Sequence, residues 1–346
     1  MKHITIKDLA KELCISTSTV SRALADDKNI RRETKEKVLE LAHKLGYRPN
    51  PVAANLKSGH SNTVGVIVPE MITPFASKVI NGIQEVLYAH GIKVIIANSE
   101  EDPHKEKENL KLMERFMVDG IIISQCNYKQ NKEEYERLQN AEMPMVFYDR
   151  IPHGLDVSQV LVDDYMKSFF LVEEMIRSGR KRIVHIKGPE DIYNSLERSK
   201  GYIDAMNKFH LSESAQIITA SGMSFKEGER VADLLLDNNY HPDAVFAFTD
   251  TLAIGTLNQL RKRGKKIPDD IAIASFSGTD LSTIVYPPMS TVEPPLFQMG
   301  KQAAELIIEK IKKPKSPNRS IILNAEIKMR ASVLKDIQQA DSTQNV

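Results

Sequence analysis

Three short runs near the N-terminus repeat apolar residues at the spacing of one helix face. Ile6, Leu9, Ala10 and Leu13 form the first stripe. Val20, Ala23 and Leu24 form the second, and Val38, Leu41, Ala42 and Leu45 the third. Thr5 suits the N-cap of the first helix, and Ser16 or Thr17 that of the second. These stripes predict a compact three-helix bundle over residues 1–49. Ala10 and Val20 would be the small residue and the β-branched plug where two helices cross steeply over a tight turn.

From Asn62 onward the period changes. Short β-rich segments, Thr63–Val68, Val94–Ala97, Ile121–Ser124, Met145–Tyr148 and Val160–Val162, alternate with helical stretches such as Ser77–His90 and Lys105–Val118. A second series runs Ile183–Ile186, Gln216–Thr219, Ala244–Phe248 and Ile271–Ser275. Its helices lie near Ser195–Lys208, Phe225–Asn238 and Leu252–Arg263. Alternating units of this kind predict an α/β body of two lobes, each a doubly wound parallel sheet with helices on both faces. Ligands of such folds sit at the carboxyl ends of the strands, here between the lobes.

The 346 residues exceed one ordinary core, and 41% hydrophobic with 27% charged residues is the composition of a globular chain in water. No apolar run reaches membrane-spanning length, and the N-terminus lacks the apolar stretch of a signal peptide, so a cytoplasmic address is expected. Cys14 and Cys126 lie far apart, without metal-ligand spacing, and read as packed thiols. No cofactor or metal motif and no catalytic residue is predicted. Walker A, GxGxxG, GxSxG and HExxH patterns are all missing.

Charge sharpens the reading of the head. Residues 1–60 hold 12 Lys/Arg against 7 Asp/Glu, a net of +5, while the remainder carries −4. A basic head on a mildly acidic body points to a polyanionic partner. Thr17, Ser18, Ser21 and Arg22 face away from the Val20 plug. Their hydroxyls can bond base edges or phosphates, and Arg22 can bond guanine O6 and N7 together. The segment from Asn50 to Gly59, with Pro51 at its first helical position, predicts a helix too short to hold alone. Residues 50–61 therefore read as a hinge that folds on a partner. Leu56, a large apolar residue on a basic linker, would be a wedge for a minor-groove step. With Thr5, Ser16, Tyr47 and Ala53, these residues make up the expected DNA-contacting set.

Thr5-Ile6-Lys7-Asp8-Leu9-Ala10, then Ser16-Thr17-Ser18-Thr19-Val20-Ser21-Arg22-Ala23-Leu24, Leu45-Gly46-Tyr47-Arg48-Pro49-Asn50 and Ala53-Ala54-Asn55-Leu56-Lys57-Ser58-Gly59 resemble the head and hinge of the LacI/GalR repressor family. The resemblance continues through almost the whole chain. It implies a body like periplasmic sugar-binding proteins, with the segments Ser290–Pro294, Gln298–Ile311 and Ile321–Asn324 crossing back between lobes. The N-lobe would hold about 62–162 and 292–322, the C-lobe about 163–291 and 323–338. Residues matching Thr17, Ser18 and Arg22 contact bases in that family, and the one matching Leu56 intercalates. Cys14 departs from the glycine or asparagine usual in the turn, and Arg31 from the serine that caps the third helix.

Position alone populates the cleft. Asp149 and Arg150 end one strand, Thr249 and Asp250 another. Arg198 opens a helix, and Phe75 lies in the loop after the first strand. Asp at a strand end also suits a helix N-cap, which is an alternative duty for Asp250. The resemblance implies that Asp149, Arg198 and Phe75 line an effector site. It also implies that Ser277 replaces a common aspartate and that Met223 replaces a stacking ring. That loss of negative charge leans toward an anionic ligand such as a sugar phosphate. The leading expectation is a homodimeric regulator that binds a near-palindromic double-stranded operator and answers to a sugar or sugar derivative. The rivals are an exported-type solute-binding protein and a sugar-processing enzyme on the same two-lobed fold. Control by a phosphorylated partner protein on the N-lobe is a further possibility. Residues 336–346 are polar without a leucine heptad, so a frayed tail and a dimer are expected.

Overall fold

The computed structural model describes residues 4–47, 60–238 and 240–334. The chain divides into two units, Met1–Ser61 and Asn62–Val346. The first contains α1 (Ile6–Glu12), α2 (Thr17–Leu24) and α3 (Arg32–Lys44). Leu9, Ala10, Val20, Ala23, Val38 and Ala42 form its buried centre. Ile15 and Ile30, which lie off the three stripes, pack against it with Tyr47. Leu45, expected on the third stripe, is 38% exposed because α3 stops before it and Leu45 is the C-cap. Apart from His60 and Ser61, the expected hinge lies outside the described residues, as do the expected contacts Ala53 and Leu56 and the C-terminal tail.

The second unit is two six-stranded sheets. One orders β11-β5-β4-β3-β1-β2, built from β1 (Thr63–Val68), β2 (Lys93–Asn98), β3 (Gly120–Ile123), β4 (Met145–Tyr148), β5 (Ser158–Val162) and β11 (Ser320–Leu323). The other orders β12-β10-β9-β8-β6-β7, built from β6 (Ile183–Lys187), β7 (Gln216–Thr219), β8 (Ala244–Ala247), β9 (Ala272–Phe276), β10 (Ser290–Glu293) and β12 (Glu326–Lys328). Pairing is parallel throughout except at β12, which runs antiparallel to β10. The central strands β3, β4, β8 and β9 are wholly buried, as expected of parallel strands covered on both faces.

Helices α4 (Pro74–Ala89), α5 (Pro103–Arg115), α6 (Tyr128–Asn140) and α12 (Leu296–Lys312) serve the first lobe. Helices α7 (Asp164–Arg177), α8 (Tyr193–Lys208), α9 (Phe225–Asp237), α10 (Asp250–Lys262) and the single turn α11 (Leu281–Ile284) serve the second. The chain passes between lobes three times: between β5 and α7, between β10 and α12, and between β11 and β12. Phe75, expected in a loop, is the second residue of α4, because Pro74 opens that helix at its first position.

Helix pairs in both lobes meet backbone to backbone. A Cβ on Gly82 of α4 would stand 2.1 Å from the Phe297 carbonyl oxygen, and one on Gly300 of α12 would stand 2.0 Å from that of Val79. Gly228 of α9 and Gly255 of α10 repeat the arrangement, at 2.3 Å from Leu252 and 2.0 Å from Phe225. Such contacts pack the paired helices without a gap between their backbones.

Candidate functional site

In the head, Asp8 accepts from the Thr5 amide at 2.8 Å and the Thr5 hydroxyl at 2.7 Å, closing the start of α1. Ser16 caps α2 by accepting from the Thr19 amide at 3.1 Å. Its hydroxyl also pairs with those of Ser18 at 2.7 Å and Thr19 at 2.8 Å. Two of the expected DNA contacts, Ser16 and Ser18, therefore hold each other and fix the helix start. Thr5, Thr17 and Arg22 are exposed, Ser21 is half-buried, and Tyr47 packs on the head core. Basic and polar groups on one face of a short second helix can enter a major groove and read base edges.

The turn before α2 carries strain. Cys14 has φ +52°, in the left-handed region where a Cβ costs about 1–2 kcal/mol. Cys14→Gly should therefore leave the head more stable, by up to about 1 kcal/mol after the flexibility glycine adds to the unfolded chain. Cys14 is exposed and not the packed thiol expected from sequence, so urea unfolding of both proteins checks this, and a less stable variant would mean the added freedom of the unfolded chain outweighs the strain. Arg31 stands at the start of α3 without a side-chain cap. The exposed pairs Arg32–Glu36 at 2.8 Å and Lys37–Glu33 at 3.0 Å lie along that helix's first turns.

The body holds a cavity of about 380 Å³ at the carboxyl ends of both sheets. All eight residues expected from sequence lie on it: Phe75, Asp149, Arg150, Arg198, Met223, Thr249, Asp250 and Ser277. Pattern reading missed Glu70, Glu101, Asn194 and Thr279, which also line it. Glu70, Glu101 and Thr279 lie in loops and turns that give no periodic signal, and Asn194 is in the first turn of α8.

Four carboxylates and two guanidinium groups face this space. Glu70 is spent on the start of α4, accepting from the amides of Ile72 at 2.6 Å and Thr73 at 2.9 Å. Asp250 is not the N-cap of α10. Thr249 takes that role, which frees Asp250 to accept from Ser275 at 2.6 Å and from the Thr279 amide and hydroxyl at 2.7 Å each. Both arginines are neutralised from within the chain. Arg150 forms a two-pronged pair with Glu101 at 2.7 and 2.9 Å and also touches the Met223 sulfur at 3.6 Å. Arg198, on the second turn of α8, gives its Nε to Asp164 at 2.7 Å and an Nη to the Phe248 carbonyl at 2.7 Å. Its guanidinium lies 3.7 Å from the Phe276 ring centroid and 4.5 Å from that of Phe248.

Burial pushes the Asp164 carboxyl up to about 7 despite the opposing charge of Arg198. Burial likewise raises Asp149, against the pull of Arg198 and Arg150. Burial alone would lower the Arg150 guanidinium, but the facing Glu101 carboxylate more than restores it. The expected shortage of negative charge is therefore not found. Ser277 does lack a carboxylate, but Glu101 brings one to the cavity from a turn distant in sequence, and Asp164, the first residue of α7, backs Arg198.

Three polar groups of the cleft remain incompletely used, the half-buried Asp149 and the buried Asn194 and Ser124. The Asp149 carboxylate, at a residue with φ +56°, receives only the Asn194 side-chain amide at 3.2 Å among the described residues. Asn194 Oδ1 and Ser124 Oγ have no hydrogen-bond partner among the described residues. Carboxylate, amide oxygen and hydroxyl together can accept hydrogen bonds from a ligand, while Phe75, Met223 and Phe248 offer it an apolar wall. Among the described residues, no cluster of three or more His, Cys, Asp or Glu could hold a metal, and no helix is long and apolar enough to cross a membrane.

Residues 5–50 match the family profile of bacterial regulatory proteins of the lacI family, and residues 172–333 that of the periplasmic binding protein-like domain. The transcriptional repressor CytR of Escherichia coli K12 is 31% identical over 330 residues, covering 95% of this chain and 96% of that protein. Catabolite control protein A of Priestia megaterium is also 31% identical, over 331 residues, with 95% and 99% covered. The solved lac repressor dimer, bound to operator and an anti-inducer, superposes with a TM-score of 0.83 at 19% identity, covering 96% of this chain and all of that one.

Proposed function

The chain belongs to the LacI family of bacterial regulatory proteins, and on that premise we propose that it represses transcription from a near-palindromic operator under the control of an uncharged sugar or similar polyol bound between its lobes. It is a DNA-binding regulator and not an enzyme. Two heads of a homodimer would each read one half-site through α2. The solved lac repressor is a dimer on its operator, and this fold suits the same assembly.

One observation carries the ligand class. The polar atoms of the cleft left with bonding capacity on Asp149, Asn194 and Ser124 are acceptors or a hydroxyl, and both arginines already hold a carboxylate of the chain. Sugar hydroxyls donate to such groups, and a sugar's apolar face suits Phe75 and Phe248. Binding would act on DNA only through unequal affinity for two arrangements of the lobes. The three passages between lobes are the natural place for that change.

Thermal unfolding with a panel of neutral mono- and disaccharides tests the cleft. A true ligand at a hundred times its Kd should add about 2.7 kcal/mol of stability. Asp149→Ala should abolish the gain, and the same sugar should alter binding to DNA selected from a random pool. Stabilisation by neutral sugars that survives Asp149→Ala would place the ligand elsewhere.

A further inference from the structure

Glu101 draws attention because its backbone is strained and its side chain covers a buried cation. Glu100 and Glu101 are consecutive non-glycine residues at φ +51° and +57°. Such strain persists only where surrounding structure enforces it. Here the Glu101 amide bonds the Pro69 carbonyl at 2.7 Å, and the Glu100 amide bonds Asn98 Oδ1 at 3.1 Å. On the other side Asp102 caps α5 by accepting from the His104 amide at 2.8 Å. The segment is tied on both sides, so the Glu101 carboxylate is held in place and not merely resting there.

What it holds is the Arg150 guanidinium. The Arg150 side chain is 9% exposed and that of Glu101 34%. Two prongs at 2.7 and 2.9 Å occupy both Nη atoms, with the Met223 sulfur against the same Nη2 at 3.6 Å. A guanidinium at the wall of an enclosed cleft would otherwise be a strong seat for a phosphate or carboxylate.

Building on the cleft reading above, we propose that Glu101 sets the charge selectivity of the site: by closing Arg150 into an internal ion pair it refuses anionic ligands and leaves the cleft to uncharged ones. Asp149 adds to the refusal, since it stands next to Arg150 in sequence and also lines the cavity. In this scheme a single substitution at position 101 inverts the preference. The charge of Arg150 would then be buried without a partner, and an incoming anion would relieve it.

Inorganic phosphate is the probe, because it tests the cation without assuming any sugar. Thermal unfolding and titration calorimetry would compare the full-length chain with Arg150→Met, with Glu101→Ala, with Glu101→Gln, which keeps the size, and with each of these two combined with Arg150→Met. The parent should show no Arg150-dependent response to phosphate. Both single variants should bind it roughly tenfold or more tightly than the parent, with a matching rise in Tm. Adding Arg150→Met should erase the gain, which separates the cleft from the basic head. If Glu101→Ala folds only in the presence of phosphate, that rescue supports the scheme equally. An Arg150-dependent phosphate response already present in the parent would overturn the proposal, and so would no gain in Glu101→Gln and Glu101→Ala. Failure of every neutral sugar to bind the parent would count against the carbohydrate reading alone, because the phosphate comparison does not depend on it.

Discussion

Arg198→Met is expected to destabilise the body by about 3–5 kcal/mol at alkaline pH and by markedly less in acid. The guanidinium is 4% exposed and its partner Asp164 6%. Removing the cation strands a buried carboxylate, and that stranded charge is what costs, more than the loss of the pair itself. The sign of the pH dependence follows from Asp164. Its folded pKa of about 7 stands above the ordinary 3.8, so the folded protein favours the protonated acid. That contribution is complete below the ordinary value and is lost as pH rises through the folded one. Without Arg198 the charge that lowers Asp164 is gone, so its pKa rises further and the loss extends to higher pH. Urea unfolding of parent and variant from pH 5 to pH 9 should show the gap widening with pH. Asp164→Asn in the same background should flatten it. A gap independent of pH would mean that the stacking of Arg198 on Phe276 and Phe248 dominates the position.

Arg22→Ala should cost about 1–3 kcal/mol of discrimination at one operator base pair, of the order of ten- to a hundredfold, while binding to random DNA falls little. The side chain is exposed on α2, beyond the buried Val20 and Ala23 that seat the helix, so the substitution leaves the fold intact. Ser18→Ala makes an instructive contrast. The Ser18 hydroxyl already lies 2.7 Å from Ser16, which caps the helix, so part of its effect should appear as head stability and not as base preference. Competition binding with every substitution of a selected operator measures both. Equal losses on operator and random DNA for Arg22→Ala would make it a phosphate contact.

Much of this architecture is legible in the sequence because period and position suffice for it. The buried parallel strands read as short apolar runs, and the eight cleft residues fall on one cavity because loops at strand ends converge in such folds. What escaped depends on partners far apart in the chain. Arg150 meets Glu101 across 49 residues and Arg198 meets Asp164 across 34, and no local pattern announces either pair. The carboxylate count inferred from Ser277 alone left out Glu101 for that reason. Asp250 was open to a capping role because strand-end aspartates commonly serve one, yet the adjacent Thr249 takes it. The β12 strand went unseen because Glu326-Ile327-Lys328 is three residues long, with both charges facing water. Phe75 moved from loop to helix because Pro74 begins the turn earlier than the apolar stripe suggests.

The sheet of the first lobe closes only when β11 pairs with β5, about 160 residues later in the chain. The helix that covers it, α12, buries Leu296, Met299, Ala303, Ala304, Leu306 and Ile307 and is also made late. A ribosome therefore delivers the first lobe unfinished. Its apolar underside must wait, uncovered, while the second lobe is translated. Nascent chains halted before residue 296 should be protease-sensitive in the first lobe, and chaperone demand during synthesis should peak across that interval.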